Sequence, residues 1–402
     1  MRDTIRGAAL VYGLLAATAS LLAALLLGIL AVVGDGMPPL MGVTILVSIV
    51  AVGVGLGAPL AMAGWASWQR RASPLLALPP AWWLGLLFIG LLVLGQLLLG
   101  TRLNILLLPP LHVAASLLPP LLIVAAITPA MQRAGARLTR RNLITQFAYG
   151  GLVGTMLAIA LESAVILFSM ATAGVGLALL PGGVDSIEQL ARELQSNALL
   201  ADPMRLLRSL LTPGLVLGLG LLVALAIPLL EETVKSLGAW INGMVQGRLT
   251  RAQAFTFGVI AGVGFSFTEA LFYAAQQVPH GWAGAVVLRG LTAVIHGAST
   301  GLFALGWYEV MAGRPARFWP YAAGGVAIHG LWNGLSGLTV LAGLVALDGS
   351  LALQTAGGAG AIVAVGLLGA TWLAALAVLI YQTRHLSAEL RRAGEGLLDA
   401  PR

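Results

Sequence analysis

Pro228-Leu229-Leu230-Glu231-Glu232-Thr233-Val234-Lys235 holds two carboxylates and an amine in a segment with no other charge between Arg208 and Arg248. Lys235 is the only lysine in the chain; every other basic side chain is arginine. Ionisable groups inside so apolar a stretch are costly in a bilayer, where each unpaired charge costs about 2.5–3.5 kcal/mol or more, and they mark function by default. Working outward, the flanks remain apolar. Hydrophobic residues make up 59% of the 402 positions and charged residues 9%, against about 25% charged in a soluble domain. The chain therefore reads as a membrane protein with no stretch polar enough for a separate soluble domain.

Counting from charge to charge, with roughly 20 apolar residues per span, gives ten spans: 8–33, 39–64, 77–100, 105–130, 144–175, 212–245, 253–277, 283–311, 318–346 and 355–382. The first is too long for a signal-peptide core and lacks a clear cleavage site, so it reads as a retained span. Arginine placement orients the set. Sixteen of the 22 basic residues fall in segments that alternate to one side and four on the other, leaving Lys235 and Arg289 within spans. The basic side is cytoplasmic by the positive-inside rule. The expected fold is thus an all-α, polytopic transmembrane bundle of about ten spans with both termini cytoplasmic. The net charge of +7 follows from those loops and does not call for nucleic acid. The absence of cysteine excludes disulfides, thiolate–zinc sites and a cysteine nucleophile.

Between spans, 182–208 is the longest polar stretch, and Ser186 through Leu194 reads as a short external amphipathic helix capped by Ser186. Pro109-Pro110 and Pro119-Pro120 predict a kinked or broken fourth span. His112, between the pairs, reads as a bonded structural histidine. Glu162 stands alone in the fifth span and reads as structural or water-lining.

Four consecutive spans then carry polar groups at helical spacing. The sixth has Glu231, Glu232 and Lys235, with Glu231 and Lys235 at i,i+4 and Pro228 expected to bend the helix before them. The seventh has Phe265-Ser266-Phe267-Thr268-Glu269. The eighth has Arg289 and His296, with Ser299 and Thr300 beyond, both expected to bond their own helix backbone. The ninth has His329-Gly330-Leu331-Trp332-Asn333. Glu231 lies 17 residues from Arg248, Glu269 18 from Arg251, His296 18 from Arg314 and His329 12 from Arg317. At ~1.5 Å per residue all lie at mid-membrane depth, whereas the first four spans carry no acid. Lys235 neutralises one carboxylate of the pair but not both, and the surplus acid suits general-base work on water. Arg289 is expected to compensate the carboxylates, and Asn333 to donate to an oxyanion or to orient His329.

These four motifs, in this order, resemble the PrsW family of intramembrane proteases: Glu-Glu-x-x-Lys at Glu231–Lys235, Phe-x-x-x-Glu at Phe265–Glu269, a histidine at His296, and His-x-x-x-Asn at His329–Asn333. The resemblance covers roughly 145–345 and divides the chain into an N-terminal four-span region of unassigned role (1–143), a protease core (144–382) and a cytoplasmic tail (383–402). Lys235 and Glu269 replace the arginine and histidine of the related prenyl-protein endopeptidases. The resemblance implies hydrolysis of a peptide bond in a single-span, membrane-anchored protein of the plasma membrane, with anti-sigma factors as the substrate type of some members. It implies that Glu231 or Glu232 activates water, that His296 and Glu269 position it, that His329 and Asn333 stabilise the oxyanion, and that Lys235, Arg289 and Phe265 support the site. Zinc on Glu269, His296 and His329 is compatible with the donor types, although the His-Glu-x-x-His helix of soluble zinc proteases is absent.

Other intramembrane proteases fit less well. Gly334-Leu335-Ser336-Gly337 lacks a histidine in a later span, and no aspartate lies in any span. A proton-coupled transporter or ion pathway would use the same polar groups, but no second copy of the motif set suggests a repeat. A third reading is an inactive scaffold that keeps the polar core for packing.

Overall fold

A computed structural model describes residues 2–33, 37–179, 213–247, 249–347 and 351–398, with positions 185, 188 and 192. Among them are ten helices long and apolar enough to cross a membrane and no strand. They are α1 (Arg2–Val33), α2 (Pro39–Trp68), α3 (Ala81–Leu99), α4 (Asn104–Arg133), α5 (Arg140–Ala148 continuing through Tyr149–Gly154 to Thr155–Ala178), α6 (Pro213–Leu221 continuing through Leu222–Ala226 to Ile227–Gln246), α7 (Arg251–Ala275), α8 (Trp282–Met311), α9 (Phe318–Ala346) and α10 (Leu351–Leu398). Each falls on one span expected from the charge pattern. The 182–208 segment lies outside the described residues apart from Asp185, Glu188 and Arg192, with Arg192 NH1 3.4 Å from Glu188 Oε2.

The chain divides into two compact units. The first comprises residues 1–156, 232–328 and 372–402, and α7 is its axis. Nearly every α7 residue is buried, with α8, α4, α2 and the first half of α5 around it. Thr250 starts α7 by a reciprocal cap with Gln253, which satisfies two backbone donors at the helix entrance. The polar ends of four helices are then clasped together. Arg251 lies 3.3 Å from the buried Glu309 on α8 and 2.8 Å from Glu389 on α10, and it donates to the Tyr321 hydroxyl on α9 at 2.6 Å. Arg314 Nε holds the other Glu309 oxygen at 2.6 Å. At the opposite end, His112 is a bonded structural residue as expected: Trp282 Nε1 donates to its Nδ1 at 3.1 Å, and its Nε2 meets the Leu271 carbonyl at 2.9 Å.

Three local departures from the sequence reading stand out. α4 is not broken, because the helix runs unbroken through both proline pairs; a proline removes only its own N–H, and here the surrounding turns are packed in the core. α5 widens into a π-helical turn at Tyr149–Gly154. The Gly150 carbonyl there accepts from the Thr155 hydroxyl at 3.0 Å, and the Gly151 carbonyl accepts from Thr268 on α7 at 2.7 Å. α6 has a second π-helical turn at Leu222–Ala226. It precedes Pro228, which cannot donate to the Ala224 carbonyl four residues back and whose ring would crowd that carbonyl in a regular α-helix.

The second unit comprises residues 157–231 and 329–371. Within it, Gly330 on α9 sits directly against the Ala224 carbonyl of the π-helical turn. α10 continues as one helix to Leu398, so the segment read as a tail from residue 383 is helical.

Candidate active site

In the first unit, α6, α7 and α8 bring five polar side chains into one continuous row. Thr300 Oγ1 donates to Glu232 Oε2 at 2.6 Å. Lys235 Nζ lies 2.7 Å from Glu232 Oε1 and 3.0 Å from His296 Nδ1. His296 Nε2 lies 2.8 Å from Glu269 Oε2. Glu232, Lys235 and Thr300 are fully buried and His296 is nearly so, while Glu269 keeps 19% of its side chain exposed. Phe265 closes one side: its ring centroid is 4.3 Å from Lys235 Nζ and 5.4 Å from the His296 ring. It therefore adds a cation–π contact to the packing expected of it.

The row has a direction. An ammonium offers only donors, so Nδ1 of His296 accepts from Lys235. The ring proton then sits on Nε2, which lies 2.8 Å from Glu269 Oε2. The bond from Lys235 thus sets the tautomer. Glu232 accepts at both oxygens, from a hydroxyl and an ammonium. The ion pair is thus part of a satisfied network, which a buried pair requires if it is not to cost stability.

Three sequence expectations change. Lys235 meets Glu232 at i,i+3, where the sequence reading paired it with Glu231 at i,i+4; both spacings lie on one helix face. Thr300 was expected to bond its own backbone and instead bonds a carboxylate on α6. The signal for it was its position one turn beyond His296. Arg289 does not join the row. Its guanidinium lies over the Tyr273 ring at 3.7 Å and, among the described residues, makes no ion pair with Glu269. Close approach of α7 to α8 at this level depends on Gly262, since a Cβ there would collide with the His296 carbonyl.

In the second unit, Glu231 Oε2 lies 3.7 Å from His329 Nε2, with side chains 7% and 1% exposed. Asn333 is one turn further along α9 and half-buried, and Trp332 beside it is buried. Glu162 is half-buried on α5.

The family model for PrsW family intramembrane metalloproteases matches residues 139–355. The chain belongs to the PrsW family. It is accordingly a peptidase and a multi-pass membrane protein, acting in a lipid environment on a membrane-protein substrate. The PrsW match contains every site residue named above and begins at Thr139, after α1–α4. Comparisons with curated proteins and with solved structures gave no match. The family description implies a metal. Glu231, His296 and His329 are buried, and each offers one donor atom, a carboxylate or an imidazole nitrogen. Those donor types fit a divalent ion such as zinc. Both ring nitrogens of His296 are engaged here, Nδ1 by Lys235 and Nε2 by Glu269, so a metal at His296 must displace one of them.

Proposed function

We propose that this protein hydrolyses a peptide bond of a single-span protein anchored in the plasma membrane, of the anti-sigma-factor type, by attack of water activated by a glutamate. The observation that carries this reading is the row from Thr300 to Glu269, in which an imidazole lies between an ammonium and a carboxylate inside the PrsW match.

In this mechanism Glu231 is the base that takes the proton of the attacking water and later returns it to the leaving amine. Glu232 is less suited to that role, since both of its oxygens are already occupied by donors. It serves instead with Lys235 to position His296. Lys235 keeps His296 in one tautomer, and Glu269 and His296 together orient the water. His329 and Asn333 donate to the oxyanion of the tetrahedral intermediate. Where a metal is bound, His296 would be one of its ligands, with imidazole and carboxylate donors completing the set, and it would supply a Lewis-acidic position for water while Glu231 remains the base. Residues 144–382 form the protease core and 1–143 a four-span region of unassigned role, with both termini cytoplasmic.

Co-expression with single-span anti-sigma factors tests the reading. Glu231→Gln and His296→Ala are expected to abolish cleavage while the protein still inserts; undiminished cleavage by both variants would overturn the proposal. Elemental analysis before and after chelation tests the metal, and full activity in metal-free protein would remove it from the mechanism.

A further inference from the structure

A cavity of about 750 Å³ lies in the first unit away from the polar row. Its walls come from α1, α2, α5 and α6, with the loop after α2 at its mouth. Four arginines line it, Arg6, Arg71, Arg137 and Arg141, and no aspartate or glutamate does. Arg6 is paired at NH1 with the exposed Asp3, outside the lining, at 2.9 Å, yet its buried Nε has no hydrogen-bond partner. Arg141 is fixed by donating to the Arg71 carbonyl at 2.6 Å. The rest of the lining mixes apolar residues, among them Ala9, Leu60, Val153 and Ile241, with neutral polar ones such as Tyr12 and Asn242.

Four like charges around a hollow repel one another unless an anion sits among them. Basic residues at helix ends are ordinary topology signals, but these four line one half-open cavity, and one keeps a buried donor unused. A cationic mouth over apolar walls fits an anionic amphiphile better than a free ion. Guanidinium groups suit phosphate oxygens, and the ends of membrane helices lie at the depth of lipid phosphates. We propose that this cavity binds the phosphate-bearing headgroup of an anionic phospholipid, with the start of its chains along the apolar wall. The site would also give the first two helices, which lie outside the PrsW match, a role. It touches the catalytic helix as well: Tyr149 donates to the Val234 carbonyl at 3.0 Å and Gln146 to the Gly238 carbonyl at 3.2 Å, either side of Lys235.

The test uses the full chain, purified in detergent and delipidated, with binding read by thermal shift and native mass spectrometry. Phosphatidylglycerol is expected to bind saturably at one molecule per chain and to raise the melting temperature. Phosphatidylcholine and inorganic phosphate at equal concentration are expected to do neither. Arg71→Gln/Arg137→Gln removes two exposed guanidiniums without disturbing packing and should weaken phosphatidylglycerol binding roughly tenfold or more. Arg6→Gln should weaken it too, and Arg133→Gln/Arg317→Gln, outside the cavity, should leave it unchanged. Equal binding of phosphatidylcholine, or unchanged affinity in the Arg71/Arg137 variant, would overturn the proposal. An equal shift from inorganic phosphate would overturn the lipid assignment.

Discussion

The single lysine takes its meaning from its neighbours. Lys235 is fully buried and donates in two directions, to Glu232 and to His296. Removing one partner of a buried pair strands the other. Lys235→Met is therefore expected to lower unfolding stability by about 3–5 kcal/mol, and Glu232→Gln/Lys235→Met to recover most of that loss without restoring cleavage. Unfolding of the purified variants checks this; simple additivity would show that the two residues are not coupled. Thr300→Val keeps shape but leaves Glu232 Oε2 without its hydroxyl, an expected loss of about 1.5–3 kcal/mol, which Thr300→Ser should largely recover in the same measurement. Sequence showed which residues are polar at mid-membrane depth, but not how they pair. Glu231 and Glu232 are both within reach of Lys235 on a helix, and a threonine in mid-helix gives no sign whether its hydroxyl turns to backbone or to a neighbouring helix. Arg289 was similarly ambiguous, since its long side chain reaches Tyr273 as readily as a carboxylate.

Among the helices, precision at the polar row depends on how closely α7 and α8 approach. Gly262→Ala would force the two apart at His296. Overpacking of this kind costs about 1–3 kcal/mol, and a shift at His296 disturbs its contacts with both Lys235 and Glu269. Cleavage is expected to fall at least about tenfold while the protein still inserts. Gly284→Ala, on the same α8 but with nothing within 4 Å of the new methyl, should be silent in the same reporter assay. The helices themselves were legible, because gaps between charges mark spans directly and all ten appear. The π-helical turns were not. Tyr149–Gly154 and Leu222–Ala226 are as apolar as their surroundings, and an added backbone residue per turn leaves no trace in hydrophobic pattern. The proline pairs of α4 pointed to a kink or a break, and no break occurs, since proline reports a lost N–H and not whether packing holds the helix together.

For the whole molecule, the arginine asymmetry predicts that a reporter fused after residue 402 lies in the cytoplasm; fusions active only outside the cell would reverse the topology. The same arginines held information that a charge count could not show. Arg251 and Arg314, read only as orientation signals, close on Glu309, an acid at a span end that passed unnoticed. Glu309→Gln is expected to cost about 1–3 kcal/mol, measured by thermal unfolding. The clasp also imposes an order in time. Arg251, Glu309, Tyr321 and Glu389 belong to α7, α8, α9 and α10, and the ribosome delivers Glu389 only after the other three helices have left the exit tunnel. Arg251 can find Glu309 and Tyr321 during translation, but its last carboxylate arrives with α10. The helices of the polar row are thus clasped by a residue that lies outside that row, and an unfinished chain holds them less firmly than a finished one.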